Sequence, residues 1–85
     1  TLNEKKSFLA HNWGVNQVKY SYDGKILASI SNDRKLNLWD REGNFLESID
    51  PDLKMLNTIS FSPDSKFIAV GGKSPYIKVF KIKNI

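Results

Sequence analysis

Eighty-five residues with no cysteine and a single histidine, His11, exclude a disulfide framework and a thiolate metal site, and a zinc shell built largely from carboxylates would be uncommon. Thirteen Lys/Arg against nine Asp/Glu give a net charge of +4, and the excess is carried by Lys73, Lys78, Lys81 and Lys83, because residues 1–72 hold nine of each sign. No apolar run approaches the roughly 20 residues that span a bilayer, and Thr1–Lys6 lacks the apolar core of a signal peptide, so no membrane association is expected and an intracellular chain, cytoplasmic or nuclear, is.

The elements follow in order. Residues 6–10, after a charged start, form a short apolar run that reads as an edge strand. His11-Asn12-Trp13-Gly14 is a loop, and Val15, Val18 and Tyr20 mark a strand ending at Ser21. Tyr22-Asp23-Gly24-Lys25 is a turn, since Asp-Gly supplies the positive-φ residue a hairpin needs. Ile26 to Ile30 lacks alternation, which predicts a strand buried on both faces. Asn32-Asp33 supply the short side chains of a second turn, which tolerate strained backbone and can bond it locally. Leu36 and Leu38 alternate with Lys35 and Asn37, the period-2 pattern of a strand closed by Trp39-Asp40. Asp40 to Asn44 is a hairpin loop, Phe45 to Ile49 a strand, and Asp50-Pro51-Asp52 a break.

The pattern then restarts at an offset of 41 residues. Leu56, Ile59 and Phe61 mirror Val15, Val18 and Tyr20; Ser62-Pro63-Asp64-Ser65-Lys66 mirrors Ser21 to Lys25; Phe67 to Val70 mirrors Ile26 to Ser29; Ile77, Val79 and Phe80 mirror Leu36, Leu38 and Trp39. The same offset gives identities at Ser7/Ser48, Asn16/Asn57, Ser21/Ser62, Asp23/Asp64, Lys25/Lys66 and Ala28/Ala69. An internal repeat of this length, built from four short strands, is the most informative feature of the chain.

These residues resemble the WD40 repeat family, whose period is about 40–45 residues. Repeat one, about residues 6–46, carries Ala10-His11, Val15-x-x-Val18, Tyr20 to Lys25, Leu27-Ala28-Ser29, Asp33 and Leu38-Trp39-Asp40. Repeat two, about 47–85, carries Ser62-Pro63-Asp64, Ile68 to Gly72 and Ile77 to Phe80. The resemblance implies an all-β fold of propeller blades, each a four-stranded antiparallel sheet. On that template residues 6–10 are the outer strand of a preceding blade, 15–21, 26–31, 35–39 and 45–49 make one blade, and 55–61, 67–72 and 76–82 make three strands of a second. Propellers typically have 4–8 blades, so the chain reads as a partial propeller completed by further blades of the same chain or by self-assembly.

The resemblance also implies that His11, Ser29, Asp33 and Trp39 form one buried hydrogen-bond network. A Ser-His-Asp set invites a hydrolase reading, but a serine between Ala28 and Ile30 inside a strand is not on an exposed elbow, and no catalytic, metal or cofactor site is expected. Repeat two departs at all four positions: Asp52, Val70, Ser74 and Phe80 stand in their places, and Lys81 replaces Asp40. Phe8, Tyr20, Phe45, Phe61, Phe67 and Phe80 read as core. Trp13 lies in a loop beside Gly14, where no periodicity asks for burial, and exposed Trp is enriched in interface hot spots. Carried over from the family, Trp13, Gly14, Asn16 and Asn32 in repeat one and Met55, Asn57 and Lys73 in repeat two are candidate partner-contact positions. Trp13 also admits the simpler reading of a loop cover.

The resulting expectation is a non-catalytic protein–protein interaction scaffold that helps assemble a multiprotein complex, with other proteins or peptides as partners. One rival is a small basic β-barrel of the OB type binding single strands through its aromatics; it does not explain the 41-residue repeat, and four lysines without interleaved arginines are weak evidence for nucleic acid. The other is the propeller part of a larger enzyme. The four lysines read either as guards of a solvated strand edge or as a small anionic contact site.

Overall fold

A computed structural model describes residues 1–83, so the last two positions assigned to repeat two lie outside the described residues. Seven strands form two antiparallel sheets. The first holds β1 (Val15–Tyr20), β2 (Ile26–Ser31), β3 (Leu36–Asp40) and β4 (Phe45–Ile49) in that order; the second holds β5 (Thr58–Phe61), β6 (Phe67–Gly71) and β7 (Ile77–Lys81). There is no helix among the described residues, and none is long and apolar enough to cross a membrane. These are one complete and one three-stranded propeller blade.

Register explains which side chains meet. Ala28 stands opposite Leu38 and Ile30 opposite Leu36, while Ile59 stands opposite Val70 and Phe61 opposite Ile68. Because side chains alternate across a strand, Ile26, Ala28, Ile30 and Leu36 share one face of the first blade. They join Leu56, Ile59, Phe61, Ile68 and Val70 in one buried cluster, with Leu38 and Phe80 packed at its margin. Removing a large side chain from such a cluster costs about 2–5 kcal/mol, so this shared core is what holds the blades together. Three polar ties cross the same seam: Ile59 N–H donates to Gln17 Oε1 (2.7 Å), Asn16 Nδ2–H to the Leu56 carbonyl (2.7 Å) and Asp23 N–H to Ser65 Oγ (3.0 Å).

The two short turns repeat in three dimensions. In each, a serine hydroxyl donates to an aspartate two residues on, Ser21 to Asp23 (2.6 Å) and Ser62 to Asp64 (2.5 Å). Each aspartate also accepts the amide of Lys25 or Lys66. Gly24 (φ 74°) and Ser65 (φ 63°) take the same left-handed conformation. Ser65 adopts it without glycine's freedom, and its hydroxyl makes the tie to Asp23.

Four expectations are corrected. Residues 6–10 form no strand; no strand edge among the described residues pairs with them, and they lie instead against the first blade, with the Phe8 ring tilted at 56° against Trp39 (centroids 4.7 Å). The first strand of the second blade begins at Thr58 rather than 55, because Met55 has φ 52°, which breaks an extended backbone. In the second turn of blade one the positive φ falls on Arg34 (70°), not on Asn32 or Asp33; Asp33 serves as local acceptor for Lys35 N–H (2.9 Å). Among the aromatics read as core, Phe61 is buried and Phe80 half-buried, whereas Phe8, Tyr20, Phe45 and Phe67 are exposed. The reason is common to those four: each lies on the face of a blade turned away from the other.

Candidate functional site

The antiparallel register places the loop before β1, the β2–β3 turn, the β4–β5 loop and the β6–β7 turn at one end of the sheets. His11, Ser29, Asp33 and Trp39 come together just below that end. The Trp39 Nε1–H donates to Ser29 Oγ (3.1 Å), and the Ser29 hydroxyl is 2.8 Å from His11 Nε2. His11 Nδ1 lies 3.2 and 3.0 Å from the two Asp33 oxygens. A carboxylate only accepts, so Nδ1 carries the ring proton and Nε2 accepts from serine. The bonds then run one way, indole to hydroxyl to imidazole to carboxylate. Burial pushes the Asp33 carboxyl up, but the amides of Lys35 and Asn12 and the His11 ring outweigh it and hold it below the ordinary carboxylate range.

The Ser-His-Asp distances match those of a nucleophile relay, but the surroundings do not. Ser29 is 1% exposed, sits in mid-strand and is already bonded on both sides. Trp39, 7% exposed, closes the site between Phe8 and Phe45 (5.5 Å, edge-on). What the arrangement can do is tie the His11 loop, the Asp33 turn and two strands together. Asp40, the other half of the Trp-Asp pair, caps the next loop by accepting Glu42 N–H (2.9 Å) and Asn44 N–H (2.8 Å), and the Asn44 amide leads in holding its carboxyl below the ordinary range.

Two residues of this region were missed from sequence. Asn37 is buried beside His11, and its Nδ2–H donates to the Ala10 carbonyl (2.8 Å); its Oδ1 has no partner among the described residues. The signal was present, since Asn37 lies two positions before Trp39 and so shares its face. Leu53 is the second. In repeat two Asp52, at the His11 position, has φ 59° and points outward with its side chain 85% exposed. Leu53 turns in instead, 3% exposed, and joins Val70 in the core. An apolar plug thus stands where repeat one has a polar network.

The candidate contact positions lie at the loop end, and most are linked. Asn16 Nδ2–H bridges to Asn32 Oδ1 (2.9 Å) and to the Leu56 carbonyl, so one side chain spans both blades. Asn57 N–H bonds the Gly71 carbonyl (3.0 Å), and Lys73 N–H bonds the Lys54 carbonyl (2.7 Å) next to half-exposed Met55. Trp13 is 70% exposed, on a loop held by the Asn12 amide on Asp33 (3.1 Å). Gly14 has no neighbour within 4 Å of a built Cβ, so nothing in the structure requires glycine there.

The comparisons agree with this geometry. The family described as WD domain, G-beta repeat, matches residues 2–40 and 48–81, and the chain belongs to the WD40 repeat family. It is 35% identical over 77 residues to WD repeat-containing protein SL1-17 of Schistosoma mansoni, covering 89% of this chain and 26% of that protein. It is 27% identical over 77 residues to eukaryotic translation initiation factor 3 subunit I of Candida albicans (89% and 22%). It is 29% identical over 85 residues to Elongator complex protein 2 of Dictyostelium discoideum (88% and 9%). The chain therefore spans about a quarter or less of the length of these relatives.

Proposed function

We propose that this chain is a two-repeat portion of a WD40 propeller that works, without catalysis, as a protein–protein interaction scaffold in the assembly of a multiprotein complex. The observation that carries the reading is the loop-end surface, where Asn16 joins the two blades and an indole stands 70% exposed on an anchored loop. Trp13, Gly14, Asn16, Asn32, Met55, Asn57 and Lys73 are its contact positions. Repeat boundaries near residues 46 and 47, an intracellular site of action, cytoplasmic or nuclear, and further blades covering the open faces belong to the same proposal. Two relatives support it by their names, one a subunit of a translation initiation factor and one a protein of the Elongator complex. Two open sheets packed face to face do not make the closed barrel that the OB reading required. The His11–Ser29–Asp33–Trp39 set has the structural role of holding the loop end in shape.

The test is Trp13→Ala in the intact protein that carries this chain. Hot-spot tryptophans contribute about 2 kcal/mol or more, so co-purified partners should be lost while thermal unfolding stays unchanged. A variant that folds normally and keeps every partner would show that Trp13 only covers its loop.

A further inference from the structure

We propose that a basic cleft between the two blades binds an acidic segment of a partner protein. The proposal rests on the scaffold reading and adds the chemistry of one partner site. The cleft, about 570 Å³, opens at the loop end between the β2–β3 turn, the β4–β5 loop and the β6–β7 turn. Arg34, Lys54, Lys73 and Lys78 line it against one carboxylate, Asp52. Two of these cations come from the lysine-rich last segment of the sequence and two from elsewhere in the chain, so the fold concentrates a charge that the sequence spreads over 45 positions.

The positive charge is available. Lys54, Lys73 and Lys78 make no ion pair among the described residues. Arg34 reaches Asp52 at 3.6 Å and Asp50 at 3.9 Å, long contacts between half-exposed or exposed groups of the kind that stabilise little. The walls are also fixed in place. Lys73 N–H bonds the Lys54 carbonyl (2.7 Å), and a Cβ on Gly72 would come within 2.5 Å of that same oxygen. The β4–β5 loop and the β6–β7 turn are therefore in close backbone contact. Ser74 Oγ accepts Tyr76 N–H (3.2 Å) beyond them and sets an exposed tyrosine on the rim.

The two blades differ at the positions that frame the cleft. At the 41-residue offset, Asp52 and Ser74 stand where His11 and Asp33 stand. In blade one those two close the space with a buried bond. In blade two Asp52 turns out and Leu53 seals the core beneath, leaving the space above open to a ligand. Asp52 among the cations favours a peptide, whose backbone N–H groups or occasional lysine can meet it, over the unbroken phosphate line of a nucleic acid, which it would repel.

The experiment uses the intact protein and three fluorescein-labelled probes: a glutamate-rich nonapeptide, the same length rich in lysine, and a single-stranded oligonucleotide. A phosphoserine version of the acidic peptide separates carboxylate from phosphate preference. Anisotropy should show the acidic peptide bound in preference to both controls, with affinity falling as salt rises. Lys54→Glu/Lys73→Glu should weaken it about tenfold or more, since like charges then face each other, and Lys54→Gln/Lys73→Gln should weaken it less, in the same direction. Lys66→Gln, an exposed cation in the β5–β6 turn at the opposite end of the sheets, should leave it unchanged. Equal binding of the lysine peptide, tighter binding of the oligonucleotide, or indifference to both double variants would overturn the proposal. Should the acidic peptide fail while Trp13→Ala still loses partners, the cleft is refuted and the scaffold reading stands.

Discussion

Asp33 shows how much one side chain can organise. It accepts from the His11 ring and from the amides of Asn12 and Lys35, joining the loop before β1 to the β2–β3 turn. Asp33→Ala leaves the buried His11 ring without its acceptor, and an unpaired buried group costs about 1–3 kcal/mol. The unfolding free energy of the intact protein should therefore fall by that amount and its thermal midpoint with it, and an unmoved midpoint would contradict a stabilising role. The same carboxyl sets a pH dependence. Its folded-state pKa lies below the ordinary value of 3.8, so the unfolded chain takes up the proton first as acid is added. The contribution is complete above that value and is lost as pH falls through it toward the lower folded value. Unfolding midpoints should decline from about pH 4 downward, and Asp33→Asn should flatten part of that decline. Asp23, Asp40 and Asp64 shift in the same direction, so a residual slope belongs to them.

The elements are positioned by their loops as much as by their ladders. The paired Ser-x-Asp turns use the same bonds in both repeats, and that is why β1–β2 and β5–β6 meet in equivalent ways. The β6–β7 turn meets the β4–β5 loop backbone to backbone, whereas its blade-one counterpart is joined to the loop before β1 through the Asp33 side chain. Gly72 is the contact point: an added Cβ would meet the Lys54 and Met55 carbonyls at 2.5 and 2.9 Å, both backbone atoms that cannot swing aside. Gly72→Ala should destabilise by about 1–3 kcal/mol, the range for overpacking, and should separate the two walls of the basic cleft. Denaturant unfolding measures the first effect and loss of acidic-peptide affinity the second. A neutral substitution would mean that the loops move apart freely.

For the whole molecule, each blade buries one face against the other; the N-terminal segment covers part of the first blade's second face, and the rest of the two outer faces is open among the described residues. Val18 and Tyr20 on the first blade, and Ile77 and Val79 on the second, are exposed. At the 41-residue offset, Ile77 and Val79 correspond to Leu36 and Leu38, which pack between the blades. If another blade covers them in the intact protein, Val79→Asp places an unpaired charge in an interface and should cost well over 2 kcal/mol. At a true surface position the change would stay within about 0.5 kcal/mol. Chemical denaturation of the intact protein distinguishes the two.

The amino-acid order determined the repeat, the all-β class and nearly every turn, because period-2 apolar patterning and Asp-Gly or Ser-Pro-Asp punctuation are local properties of the chain. It also placed His11, Ser29, Asp33 and Trp39 among the positions to examine, through a resemblance rather than from spacing alone. Tertiary structure decided the rest. Residues 6–10 are apolar enough for a strand, but a strand exists only where a partner edge does. Tyr20 and Phe67 are core-like in pattern and exposed in fact, since burial depends on which blade stands opposite. The sequence aligned Asp52 with His11, yet a positive φ exchanged the roles of Asp52 and its neighbour Leu53. The gathering of Arg34, Lys54, Lys73 and Lys78 around one cleft was likewise invisible in the linear order, because proximity across a blade seam depends on how two sheets pack.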